Sequence, residues 1–153
     1  MTDKPRQYTP DVLLKAKKQP DIVEVPSRTV LSIEGAGSPE HPDFGEAIGA
    51  LYGVSYTLRF ARKKAGRPEF KVGVLECEWW AEGENLPVHE VPARDTWRWR
   101  AMMALPDDAT EEEIADTVAP ATAKRGGKLE GSEVAKRIRL EREKRTRFAR
   151  ILH

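Results

Sequence analysis

The sequence predicts an α+β domain, an antiparallel sheet with one long helix packed on it. Three observations lead there. Runs rich in β-branched and aromatic residues centre on Val30, Trp79 and Trp99, which is strand composition. Between the first two runs, residues from about Asp43 to Lys64 repeat apolar side chains every three or four positions, the period of a helix lying on a core. Clusters of glycine and proline separate the runs where turns are needed.

Residues 1–21 are polar, are punctuated by Pro5, Pro10 and Pro20, and read as an N-terminal arm. Asp11 could open a short helix there, through Lys17. Pro26 interrupts the β-branched run that begins at Ile22, so the main strand is expected at about Arg28 to Glu34, ended by the Gly35–Pro39 loop. In the long helix Phe44, Ala47, Ile48, Leu51, Ser55 and Leu58 form one stripe, with Tyr52, Tyr56 and Arg59 beside it. Asp43 or its predecessor caps the start, Lys63 and Lys64 suit the negative end of the macrodipole, and Gly66 closes the helix.

Phe70 to Trp80 reads as a strand whose apolar parity changes. Phe70, Val72 and Val74 share a face with Glu76, Glu78 and Trp80, while Leu75, Cys77 and Trp79 carry the apolar role on the other. A bulge near Val74 and Leu75 would reconcile them. Glu84 to Arg94 is a loop, and Thr96 to Leu105 is the next strand, with Trp97, Trp99, Ala101, Met103 and Leu105 on one face. Thr110 with Glu113 forms a capping-box pattern for a helix running to about Val118. From Glu133 to Arg150 two readings stand. One is a charged helix, and the other is a pair of strands at Lys136–Glu141 and Thr146–Leu152.

At 39% hydrophobic and 33% charged residues, no run reaches the roughly 18 apolar residues of a membrane span. No signal segment is visible, and the single cysteine, Cys77, excludes an internal disulfide, so a cytoplasmic location is expected. The net charge of +1 conceals a basic stretch from Lys124 to Arg150. His41, His89 and His153 are scattered, so neither a metal centre nor a Cys-His nucleophile is expected, and no cofactor is implied.

Leu51-Tyr52-Gly53-Val54-Ser55-Tyr56, Leu75-Glu76-Cys77-Glu78-Trp79-Trp80 and Trp97-Arg98-Trp99 together resemble the gyrase-inhibitor-like (GyrI-like) small-molecule-binding family. The similarity is greater to its stand-alone branch, which includes cyclopropanoid cyclopropyl hydrolases. The resemblance implies a tandem SHS2 fold of two β-α-β-β units with the ligand between them. It places an arm at 1–21, one such unit with an added short helix at 22–123, and the start of a second unit in the basic segment 124–153. The rest of that second unit would be missing.

Aromatic side chains bury large area while keeping a polar handle. Tyr52, Tyr56, Trp79, Trp80, Trp97 and Trp99 are therefore candidates for a ligand wall, with core filling as the alternative. Glu76 matches an acidic position of the family and is a candidate catalytic residue together with Tyr56. A carboxylate against indoles would lose hydration and become a proton holder or general base. The alternative for Glu76 is an ordinary ion pair with Arg59, Arg98 or Arg100. The expected partner is a planar hydrophobic molecule, with hydrolysis of cyclopropanoid compounds as an activity that the resemblance suggests. Homodimerisation could rebuild a two-unit site. A nucleic-acid or protein interaction module built on the basic segment, or an inactive fragment, ranks second, and no membrane partner is expected.

Overall fold

A computed structural model describes residues 4–81, 92–121 and 128–150. Its centre is a four-stranded antiparallel sheet in the order β5-β6-β3-β7, comprising Glu76–Ala81, Trp97–Leu105, Arg28–Ala36 and Arg139–Glu143. The helix α2, Pro42–Lys64, lies on one face of it. The predicted α+β class, with its antiparallel sheet and long helix, is what the structure shows.

Ala47, Ala50, Leu51, Val54 and Leu58 of α2 are buried against Leu31, Ile33, Trp99, Ala101 and Met103. The His41 side chain accepts a hydrogen bond from the Asp43 amide and Pro42 follows it, while Gly66 adopts φ +75° past the end. The buried Arg62 of α2 donates to Asp108 at 2.9 Å and to Glu113 at 2.7 and 3.0 Å, tying the helix to α3, Glu111–Val118. Thr110 caps α3 as expected, accepting from the Glu113 amide at 3.2 Å. The reciprocal half of the capping box does not form, because Arg62 and Arg67 take the Glu113 carboxylate.

The strand expected from Phe70 to Trp80 is two strands. β4, Phe70–Lys71, ends before Gly73, and β5 begins at Glu76. A Cβ at Gly73 would stand 3.0 Å from the Thr9 hydroxyl and 3.1 Å from the Ala104 carbonyl, so the chain crosses there in close backbone contact. Val72, Leu75 and Cys77 all pack on the helix-side core, and the parity change falls between the first two. The arm takes part as well. β1, Arg6–Gln7, pairs in parallel with β4, Thr9 is buried, and the helix opened by Asp11 is a single turn, α1, ending at Leu14. The predicted 84–94 loop lies largely outside the described residues, as do Lys124 and Arg125 of the basic stretch.

The C-terminal stretch is two strands rather than a helix. β7 pairs with β3, and β8, Thr146–Arg150, pairs with β2, Asp21–Val25. The two pairings are copies of each other. Arg28 opposite Glu143 corresponds to Thr146 opposite Val25, and the match continues pair by pair to Ser32–Arg139 and Arg150–Asp21. Each two-strand arm has a two-residue connector, Pro26-Ser27 or Lys144-Arg145, and each gives one strand to each sheet. The arms therefore interlock about a local pseudo-twofold axis.

Candidate functional site

Side-chain alternation divides the four-stranded sheet into two surfaces. On the helix side, Trp79 of β5 and Trp97 of β6 meet with ring centroids 5.9 Å apart. Phe44, from the first turn of α2, reaches Trp79 at 4.9 Å and Trp99 at 5.2 Å. Trp99 is fully buried over Gly35, where an added Cβ would lie 2.2 Å from its ring, so glycine is the residue the indole requires opposite it. The Trp97 indole donates to the Pro92 carbonyl at 3.0 Å, and Arg94 stacks on its ring. The Trp99 indole N–H is buried with no hydrogen-bond acceptor among the described residues.

Tyr52 and Tyr56 form a second aromatic line on α2. Their rings stack 6.4 Å apart, and Phe60 continues the line 6.5 Å beyond Tyr56. Helical spacing of four residues accounts for this. Tyr52 leans on the helix-side core, while Tyr56 and Phe60 are exposed.

The other surface of the sheet is charged. Arg28, 6% exposed, places both terminal nitrogens 2.7 Å from the two oxygens of Glu76 and its Nε 3.3 Å from Glu143. Arg100 reaches Glu143 at 2.6 Å, Glu141 at 2.7 Å and Glu78 at 3.5 Å, and Ser32 donates to Glu141 at 2.8 Å. One lattice thus crosses all four strands. Burial works against charging Arg28 and Arg100, yet the hydrogen bonds they donate to the carboxylates, with the carboxylates' negative charge, outweigh it and hold both pKa values above the ordinary guanidinium value. Trp80 shares this surface.

The structure therefore joins Trp79 and Trp99 through Phe44, which the sequence marks only as a core residue of the helix, and sets Trp97 against Trp79. It sets Tyr52 and Tyr56 along the same helix, and turns Glu76 and Trp80 to the opposite side of the sheet. Glu76 and Tyr56 are not brought together within the chain. Glu76 does form an ion pair, but with Arg28 rather than Arg59, Arg98 or Arg100. Trp79 and Trp80, neighbours on the end strand β5, are each 37% exposed and look out from opposite faces. Cys77 packs on the core, and burial followed by the nearby Glu76 charge pushes its thiol pKa up, so a thiolate nucleophile is disfavoured. No group of three or more His, Cys, Asp or Glu residues suited to a metal occurs among the described residues.

No family model and no curated protein matches this chain. Solved structures do. The crystal structure of an uncharacterized conserved protein from Listeria innocua superposes with a TM-score of 0.72 at 24% identity, covering 91% of this chain and 67% of the other. The crystal structure of a hydrolase from Listeria innocua gives 0.68 at 23%, covering 91% and 68%. A further crystal structure of a hydrolase from that organism gives 0.70 at 25%, covering 92% and 67%. The fold is shared with these proteins, and this chain spans about two thirds of their length. No described helix is long and apolar enough to cross a membrane.

Much of the basic C-terminal stretch is neutralised within the fold. Arg137 pairs with Asp43, Arg142 with Asp107, Arg145 and Arg147 with Glu24, and Arg150 with Asp21. These arginines thus meet carboxylates brought to them from Asp21, Glu24, Asp43 and Asp107 by the fold.

Proposed function

We propose that the chain is a small-molecule-binding domain of the gyrase-inhibitor-like kind, taking planar hydrophobic compounds against the aromatic end of its sheet. The observation that carries this reading is the exposure of Trp79 on an end strand, grouped with Phe44 and Trp97 on the helix side of the sheet. Exposed indoles in a group are a costly surface unless something flat covers them. The fold shared with hydrolases supports the same reading.

The proposed ligand wall is Trp79, Trp97 and Tyr52, with Trp99 beneath it and Trp80 on the reverse face. Tyr56 is a candidate donor to a ligand carbonyl. Hydrolysis of a strained cyclopropane conjugated to a dienone is the activity proposed. The carbonyl would gain a proton or hydrogen bond as water adds to the ring carbon and the ring bond opens to a phenol. Glu76 lies on the reverse face with both oxygens held by Arg28, so its proposed contribution is a fixed anionic charge beside Trp80 and not a base at this wall. A second copy of the chain, covering the exposed side of the β2–β8 sheet, is the proposed oligomeric partner. Ion pairing of the basic stretch weighs against the nucleic-acid alternative.

The test is intrinsic tryptophan fluorescence, titrated with planar aromatic cations and a cyclopropane-dienone compound, with chromatography of the products. Saturable quenching that Trp79→Ala weakens about tenfold or more is expected, with Trp80→Ala, on the reverse face, weakening it less. Absence of quenching in a folded protein would sink the reading.

A further inference from the structure

β7 is the end strand of the four-stranded sheet, and among the described residues it pairs only with β3. Its other edge faces α3 across an open groove of about 890 Å³. Ile114 and Val118 from α3, with Ile138 just before β7 and Leu140 within it, give the groove an apolar lining, and the small side chain of Ala115 leaves it wide. An end strand presents backbone donors and acceptors to whatever lies beside it. An apolar trench alongside such an edge supplies seats for alternate side chains, and the two together are the requirements of strand addition.

The charge of the lining narrows the occupant. Glu141 is already taken by Ser32 and Arg100 on the far surface of the sheet. Glu34 and Glu111 are exposed, and no described side chain binds their carboxylates. Against them stands Arg139. The five residues of β7 match a ladder of about 17 Å, the reach of a short strand.

We propose that this groove binds an extended peptide segment of a partner protein as a fifth strand on β7. Its apolar side chains alternate into the trench, and a lysine or arginine meets Glu34 and Glu111. The surface lies on the α3–β7 side of the sheet, at the opposite end of the strand order from β5, and is independent of the aromatic site.

The experiment titrates the full chain with a fluorescein-labelled seven-residue peptide alternating valine and lysine. Anisotropy gives affinity, and amide chemical shifts of labelled protein give location. Saturable binding with shifts concentrated on β7 and α3 is expected. Methylating alternate peptide nitrogens should abolish it, because the ladder bonds are then blocked. Ala115→Arg fills the trench from an exposed helix position and should weaken binding at least tenfold without lowering Tm. Glu111→Lys should weaken the lysine peptide several-fold and favour a glutamate–valine counterpart. The proposal is overturned if no saturable binding occurs, if Ala115→Arg leaves affinity unchanged, or if the shifts fall on β8. It is likewise overturned if sedimentation shows a dimer of the chain that Ala115→Arg dissociates, which would give the groove to a second copy.

Discussion

The two interlocked sheets share one register and differ in everything that covers it. In the β3–β7 pairing, Leu31 sits opposite Leu140, with Leu31 buried under α2 and Leu140 packed against the same core. In the β2–β8 pairing the equivalent residues are Ala149 and Ile22, and Ile22 is 71% exposed. Val30 is buried, whereas its counterpart Phe148 is 40% exposed. Hydrogen bonding and connector length set the register equally in both. Burial of apolar area beneath a helix separates them, and that term is the one that stabilises a fold.

The largest expected contrast comes from the covered half. Leu31→Ala removes a fully buried side chain from the centre of the sheet and should destabilise by about 2–5 kcal/mol. Urea denaturation followed by tryptophan fluorescence measures it. A loss under 1 kcal/mol would show that α2 does not clamp this half in the way its packing implies.

Arg28 comes next. Its counterpart in the other half is the exposed Thr146, which has no comparable lattice. Arg28→Ala strands the partly buried Glu76, leaves Glu143 to Arg100 alone, and should cost about 3 kcal/mol, near the low end for breaking a buried pair. Because Arg28 also fixes the Glu76 carboxylate, Arg28→Lys should restore part of the stability but not the two-pronged hold. Equal stability of wild type and Arg28→Ala would reduce the lattice to a surface ornament.

Acid probes the uncovered half. A hydrogen bond from Arg150 holds the Asp21 pKa below 3.8, and bonds from Arg145 and then Arg147 hold that of Glu24 below 4.5. Carboxylates depressed in the folded state stabilise it fully above their unfolded pKa, and that contribution is lost as pH falls through the folded values. Lowering pH from 6 to 5 should therefore change nothing, while lowering it from 4.5 towards 3 should release β8 from β2. Amide hydrogen exchange reads this directly. Phe148 and Ala149 should lose protection before Leu140 does, and simultaneous loss would mean that the two sheets melt as one unit.

How much of this was legible depends on where the determining contacts lie. The long helix, β3 and β6 could be read because period, capping and composition are local to each segment. The final stretch could not. Ile138 to Leu140 alternates well enough for a strand, but Arg and Glu suit a helix, and the deciding partners β3 and β2 lie more than 100 residues away. The Arg28–Glu76 pair has no local signature either, because the two residues are 48 positions apart and arginines on α2 and β6 lie nearer to Glu76 in the chain. The break at Gly73 follows from the passage of Thr9 and Ala104, which no pattern within residues 70–80 records. The aromatic grouping was half legible. Strand parity joined Trp97 to Trp99, yet it also turned Trp80 away from Trp79 and left the tyrosines on a different element. The α3–β7 groove arises between elements and has no signature within either.

The smallest effect carries the sharpest distinction. Ile22 lies opposite Ala149 on the uncovered side of β2–β8, so Ile22→Ala in a monomer exchanges one exposed side chain for another and should change stability by less than about 0.5 kcal/mol. If a second copy covers that side, the same substitution removes buried area from an interface, and its effect must grow with protein concentration. Denaturation midpoints of wild type and Ile22→Ala, measured over a hundredfold range of concentration, separate the cases. Parallel, flat midpoints leave the two halves permanently unlike, one covered and one bare. A wild-type midpoint that climbs with concentration, and a variant midpoint that climbs less, would mean that association supplies to β2–β8 the burial that α2 supplies to β3–β7.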